Sequence, residues 1–237
     1  LALIMLRPGA LPLHMQISET LIREINAGRL VDGERLPPER DMAESYGIAV
    51  GTLRKALDSL QKKGLLERVQ GSGNYIRAAA GVESIYAFLR LELAEGGGLP
   101  TAQVLSVDCL PKDARLPAFG TSATGHRIRR LRFLSGVVSA VEEIWLDGDL
   151  APRLTPEDLS DSLYLFYRTS LGLVIARAED RVGQGPVPDW APPAFAHAPG
   201  APLPQITRVS WTHDGRAVEA SWTWFDPDRV RYTVRLK

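Results

Sequence analysis

Gly33–Ile76 reads GERLPPERDMAESYGIAVGTLRKALDSLQKKGLLERVQGSGNYI, and its punctuation decides how the front of the chain folds. Pro37 and Pro38 suit the start and first turn of a short helix, where a missing N–H matters least. Met42, Ala43 and Tyr46 give that helix its inward side, and Gly47 ends it. A second helix starts near Ala49–Val50. Leu53, Ala56, Leu57 and Leu60 recur at i, i+3, i+4 and i+7, which is a single buried stripe. The opposite side presents Val50, Gly51, Arg54, Lys55 and Asp58. Lys62 and Lys63 complement the negative end of the helix dipole, and Gly64 caps it. Leu65–Val69 and Asn74–Arg77 then flank Gly71-Ser72-Gly73 as two short strands.

Upstream, Ile17, Leu21, Ile22 and Ile25 recur at helical spacing between Pro12 and Gly28, which predicts a first helix stopped by a glycine cap. Three helices followed by a hairpin is the order of a winged helix-turn-helix, which lays its last helix in the DNA major groove beside the hairpin. Residues 12–77 resemble the DNA-binding domain of the GntR family of bacterial transcription regulators. The resemblance rests on Pro12-Leu13, Gln16-Ile17, Gly28-Arg29-Leu30, Gly33, Leu36-Pro37, Glu39-Arg40, Thr52, Arg54, Ala56-Leu57, Leu60, Gly64-Leu65, Gln70-Gly71 and Gly73.

The resemblance implies roles. Arg40 and Arg54 correspond to arginines that meet phosphates and guanine edges, a bidentate contact that discriminates by about 1–3 kcal/mol. Thr52 corresponds to a hydroxyl on the DNA backbone and Gly71 to the wing tip that reaches the minor groove. Arg35, Lys55, Arg68 and Gln70 complete the expected interface. The departures are Pro38, where the family often has Ser or Ala, and the start of the reading helix, where many members carry Ser-Arg-Thr and this chain has Ala49-Val50-Gly51. A hydroxyl N-cap and one base-reading arginine are lost, so Val50 is left to meet a thymine methyl and Gly51 to allow close backbone approach.

The bulk numbers bound these expectations. The chain has 237 residues, 45% of them hydrophobic, and a net charge of zero, which excludes a grossly basic nucleic-acid coat. Residues 1–77 hold 11 Lys+Arg against 9 Asp+Glu, the rest 17 against 19, so the asymmetry has the expected sign and little size. Cys109 is the single cysteine; it excludes an internal disulfide, fits a reducing cytoplasmic setting, and is expected as a small packed hydrophobe. Leu1–Leu6 is apolar but too short for a signal-peptide core, and no apolar run reaches the ~20 residues that span a bilayer.

Ala78–Gly81 has no charge and no large side chain, so the division expected is 1–77 for DNA binding, 78–82 as linker and 83–237 as a second domain. All five tryptophans lie in that last part. Alternation predicts strands over Val104–Leu110, His126–Leu134, Val137–Leu146, Leu173–Val182, Ile206–His213, Ala217–Phe225 and Val230–Leu236, with a tight turn at Asp214-Gly215. A helix is expected across Thr155–Leu171. The fold class is therefore α+β, a winged helix joined to a mostly antiparallel sheet. This part resembles the UTRA effector-binding domain of the HutC subfamily, whose fold is like that of chorismate lyase. Arg130-x-Arg132, Glu142, Ser162-Leu163-Tyr164, Ala178-Glu179, Asp214-Gly215-Arg216, Val218-Glu219, Ser221 and Tyr232-x-Val234 carry the resemblance, in order.

In relatives that take phosphorylated sugars, the positions of Arg130, Arg132, Ser162 and Tyr164 hold the anionic end, and those of Glu142 and Glu219 meet hydroxyls. Arginine forks and hydroxyl donors suit phosphate or carboxylate; the plainer alternative is surface cross-strand pairing. Two departures stand out: Phe225 replaces a tyrosine at the site, and Pro186–Pro204 holds seven prolines where the family has a regular helix. The resulting expectation is a homodimeric repressor released from an inverted-repeat operator by a small, anionic effector, with no cofactor or metal. The rivals are a constitutive DNA-binding protein whose rear domain only dimerises, and a chorismate lyase-like enzyme. Four scattered histidines with no metal-ligand spacing, no phosphate loop and no nucleophile elbow speak against catalysis.

Overall fold

The computed structural model describes residues 10–77 and 84–235; the proposed linker at 78–82 and the apolar start fall outside them. Helix α1 spans Leu13–Asn26, α2 Glu39–Ser45 and α3 Val50–Lys62. Strands β1 (Leu66–Val69) and β2 (Gly73–Ile76) form the antiparallel wing, with Arg35 bridging to Tyr75 as a third backbone edge. One apolar cluster unites them: Ile17, Leu21, Ile22 and Ile25 of α1 meet the Leu53, Ala56, Leu57 and Leu60 stripe of α3, closed by Leu36, Met42, Leu65 and Ile76. The stripe predicted for α3 is therefore the one buried. All three helices begin without a side-chain cap, at Pro12, Pro38 and Ala49.

Beyond residue 83, β3 (Leu91–Leu93) pairs with β10 (Val230–Tyr232) in a small two-stranded sheet. Six longer strands make the main sheet: β4 (Pro100–Pro111), β5 (Thr124–Leu134), β6 (Val137–Asp147), β7 (Ile175–Pro186), β8 (Pro202–Thr212) and β9 (Ala217–Phe225). Their order is β4-β5-β6-β9-β8-β7, every pairing antiparallel, so β4 and β7 are the edges. The β8–β9 turn falls at Asp214-Gly215 as expected, with Gly215 at φ 81°.

Strand alternation sends Arg130, Arg132, Glu142, Ser210, Glu219 and Ser221 to one face of this sheet. The other face carries Leu131, Val141 and Trp224, covered by Val187 and Phe195 from the proline-rich segment. That segment holds one 3-10 turn, Pro193–Phe195, in place of a regular helix, as its missing N–H groups require. The helix expected across Thr155–Leu171 is two pieces, a 3-10 turn at Pro156–Asp158 and α4 at Leu163–Ser170. The break has a cause: Asp161 turns away to accept backbone N–H groups from Ala102 (2.9 Å) and Leu11 (3.3 Å), and Ser162 caps α4. Strand β10 is also shorter than the predicted Val230–Leu236. Cys109 is exposed on the edge strand β4 rather than packed, because an edge has a neighbour on one side only.

Candidate functional sites: a DNA-reading face and a buried ionic cavity

The exposed side of α3 carries Gly51, Arg54 and Lys55, with Thr52 half-buried beside them. Arg54 is 64% exposed and its Nε donates to Glu39 Oε2 at 2.7 Å, so the first residue of α2 orients this arginine. That same guanidinium holds the Glu39 carboxyl below its ordinary range, with help from Asn74. Arg68 on β1 reaches Asp58 Oδ1 at 2.7 Å, which ties the wing to α3. Arg40 is exposed at the start of α2, and Gln70 and Gly71 form the wing tip. Gly71 takes φ 74°, a conformation only glycine adopts without strain, as the Ser72 N–H closes the turn onto Val69 O. Arg35 lies beneath the wing, its guanidinium against Gly73. Val50 is partly buried and packs on the apolar cluster, so only part of its side chain faces outward. Lys63 turns from the reading side to Glu19, at 3.2 Å.

The second site lies under the main sheet. A cavity of about 90 Å3 is lined by Arg130, Arg132, Glu142, Ser162, Tyr164 and Glu219, which brings together six of the seven effector residues read from the sequence. Phe225 is the exception. It sits farther along β9 and packs with Leu91, Leu134 and Ile206, while Thr223, two residues earlier on the same face, lines the cavity. The lining also holds Tyr86, Phe88, Arg90, Asp161 and Arg208, which the sequence reading did not single out. Arg208 alternates with Ile206 and Ser210 on β8, and that spacing was the available signal.

The electrostatics are unusual for a protein interior. Arg130 Nε donates to Glu142 Oε2 at 2.9 Å, and Arg132 grips both oxygens of the same carboxylate at 3.1 Å. All three side chains are nearly inaccessible. Burial alone would raise the Glu142 carboxyl; the two guanidiniums overcome it and hold it at about 2. Two cations thus share one anion, and Arg130 Nη1 has no hydrogen-bond partner. Arg208 pairs separately with Asp180, at 2.5 and 2.7 Å. Glu219 accepts only from hydroxyls, Tyr164 and Ser210 at 2.9 Å and Tyr167 at 2.8 Å, so burial dominates and pushes its carboxyl up. The same burial raises Tyr164 and Tyr167, which keeps them as neutral donors. Four arginines against three carboxylates line the cavity, and one of those carboxylates is biased towards its neutral form.

Two family profiles match the chain: "Bacterial regulatory proteins, gntR family" over residues 13–76, and "UTRA domain" over residues 95–231. The chain belongs to the UTRA-containing regulators of the GntR family. It is 60% identical to the HTH-type transcriptional regulator SmoD of Agrobacterium fabrum over 97% of its own length and 98% of that protein. It is 25% identical to MngR of Escherichia coli, the mannosyl-D-glycerate transport/metabolism system repressor, over 95% and 96% of the two chains. Among solved structures, the ligand-binding domain assigned to a GntR-family regulator from Bordetella bronchiseptica matches with TM-score 0.56 and 26% identity, covering 63% of this chain and 98% of that one.

This GntR–UTRA chain is a ligand-responsive, DNA-binding transcriptional regulator, and its relatives are regulators rather than enzymes. No helix among the described residues is long and apolar enough to cross a membrane, and they hold no cluster of metal-binding side chains.

Proposed function

We propose that the chain is a homodimeric repressor whose buried ionic cavity takes an anionic, hydroxyl-bearing effector and whose α3 and wing read an inverted-repeat operator. Residues 83–237 would form the effector-binding and dimerisation domain, joined to the DNA-binding residues 1–77 through 78–82, and the protein would act in the cytoplasm. The observation that carries the ligand class is Arg130 Nη1, a buried guanidinium N–H with no acceptor, on a cavity wall where Arg130 and Arg132 share the single carboxylate of Glu142. A buried donor left unpaired is costly, and a phosphate or carboxylate oxygen is its natural partner. Ser162 and Tyr164 line the same cavity with hydroxyls that would have to leave the Ile85 carbonyl and Glu219 to donate to a ligand, while Glu142 and Glu219 offer acceptors for ligand hydroxyls. MngR, named for a glycoside that carries a carboxylate, gives the class a precedent among relatives.

The cavity is far smaller than the ~300–1,000 Å3 of ordinary ligand pockets, so a sugar-sized effector must part its walls. Repression is relieved only if the effector prefers the parted arrangement. On DNA, Arg40, Arg54, Thr52, Lys55, Arg68 and Gly71 supply the contacts, with Val50 and Gly51 at the start of α3. A two-fold dimer matches a two-fold operator.

A thermal-shift screen of sugar phosphates, glycosyl carboxylates and neutral sugars tests the ligand class. The expected result is stabilisation by one or more anionic members only, which Arg132→Ala abolishes while selected-operator binding persists. Stabilisation by neutral sugars, unaltered in Arg132→Ala, would overturn it.

A further inference from the structure

The wall of the cavity formed by Ile85–Leu91 is also the surface on which α1 of the winged helix rests. Ser162, in the cavity, donates its hydroxyl to the Ile85 carbonyl at 2.9 Å. The N–H of the same residue donates to Glu19 Oε2 at 3.1 Å, and Ser84 Oγ joins it on that oxygen at 2.8 Å. The other oxygen of Glu19 accepts from Lys63 Nζ at 3.2 Å. Lys63 follows the last residue of α3, the reading helix. Glu19 itself is 2% exposed.

We propose that Glu19 is the positioning residue through which the state of the cavity reaches the reading helix, by the path Ser162–Ile85–Glu19–Lys63. This rests on the cavity being the effector site. A carboxylate at this depth is expensive unless its lone pairs stay occupied. Its donors come from two bodies that have no other reason to share it: the 84–85 segment on the cavity side and the end of α3 on the DNA side. If an effector parts the walls and carries Ile85 with it, Glu19 faces two arrangements. It follows the segment and leaves Lys63, or it keeps Lys63 and gives up the Ser84 and Ile85 donors. Both differ from the closed state at the end of α3, and a ligand that favours one of them shifts the other site by the same factor.

The remaining bonds to α1 make that helix a stiff reporter. Asp161, next to Ser162, holds the Leu11 N–H just before α1, and Arg132, in the cavity, donates to the Asp161 carbonyl at 3.2 Å. Arg23 Nη2 donates to Leu91 O at 3.0 Å near the other end. Leu21, Ile22 and Ile25 then pack α1 into the cluster that includes Leu53, Leu57 and Leu60 of α3.

Hydrogen exchange followed by mass spectrometry on the full chain, without ligand or DNA, tests the path by a double-mutant cycle. Ser162→Ala is made in the wild type and in Glu19→Gln, which keeps one acceptor for Ser84 and Ile85 but turns an N–H group towards Lys63. In the wild type, Ser162→Ala is expected to speed exchange at least threefold both in residues 84–91 and in residues 59–65. In Glu19→Gln the change at 84–91 persists and the change at 59–65 disappears. Lys63→Gln, cut at a side chain 35% exposed and so safe for folding, is expected to give the same outcome. A response at 84–91 that never extends to 59–65, or one at 59–65 that survives in Glu19→Gln and Lys63→Gln, overturns the proposal. Because neither ligand nor DNA is present, failure here leaves the effector assignment standing, and failure of the ligand screen leaves the path standing.

Discussion

The two parts of this chain use arginine in opposite ways. Around the winged helix, the cluster from Ile17 to Ile76 is apolar and Arg40, Arg54 and Arg68 stand outside it, Arg54 placed by Glu39 and Arg68 by Asp58. Under the main sheet, Arg130 and Arg132 are buried and Arg208 nearly so, among carboxylates, hydroxyls and apolar side chains. On the proposed function, a long polyanion such as DNA would be met by charge carried on a rigid, finished support. A small anion would be met by charge already stripped of water, where each contact is stronger and a wrong ligand leaves a buried group unpaired. The first arrangement should be robust to loss of an arginine or its partner. The second should not.

The largest expected effect comes from breaking the inner arrangement. Glu142→Ala leaves two guanidiniums without their shared anion and is expected to cost about 3–5 kcal/mol in urea unfolding. Acid gives the same contrast without mutation. The Glu142 carboxyl is held at about 2, below its ordinary 4.5, so its contribution is complete above pH 4.5 and is lost as pH falls towards 2. Glu142→Gln should flatten that part of the stability profile; an unchanged profile would show that Glu142 carries none of it.

Next comes Arg54→Ala, which tests the outer arrangement. Because this side chain is largely solvated, stability should move by no more than about 0.5 kcal/mol. Preference for a selected operator over a mismatched one should fall by about 1–3 kcal/mol in a gel shift. Comparable losses of stability in Arg54→Ala and Glu142→Ala would erase the contrast. The smallest effect sharpens it: Ala49→Ser restores a hydroxyl where α3 has no side-chain cap and should add about 1 kcal/mol to thermal stability. No gain would mean that the Ala49 backbone cannot present the hydroxyl to α3.

These residues also show what could be read in advance. Gly47, Gly64 and Gly71 and the Leu53–Leu60 stripe were legible because each follows a local rule of caps, turns or periodicity. That Arg130, Arg132, Glu142 and Glu219 lie on strands was legible through alternation, and that they gather at one place through a resemblance. Asp161 was not, because its role as acceptor for Leu11 and Ala102 depends on residues 150 and 59 positions away. Arg208 was legible only as to its face, through alternation on β8; its place in the wall is fixed by Asp180 and the Phe88 carbonyl, which no local rule shows. The Phe225 placement failed for a related reason: sharing a face of β9 with Glu219 does not reveal where the cavity stops and the core begins.

The edges of the main sheet have a consequence of their own. Strand β4 begins at Pro100 and ends at Pro111; β7 ends at Pro186 and carries Arg177, Glu179 and Arg181 along its length. Proline cannot donate to an incoming strand, and a file of charges repels a flat hydrophobic one. Edge-to-edge addition of a further strand is thereby disfavoured at both margins.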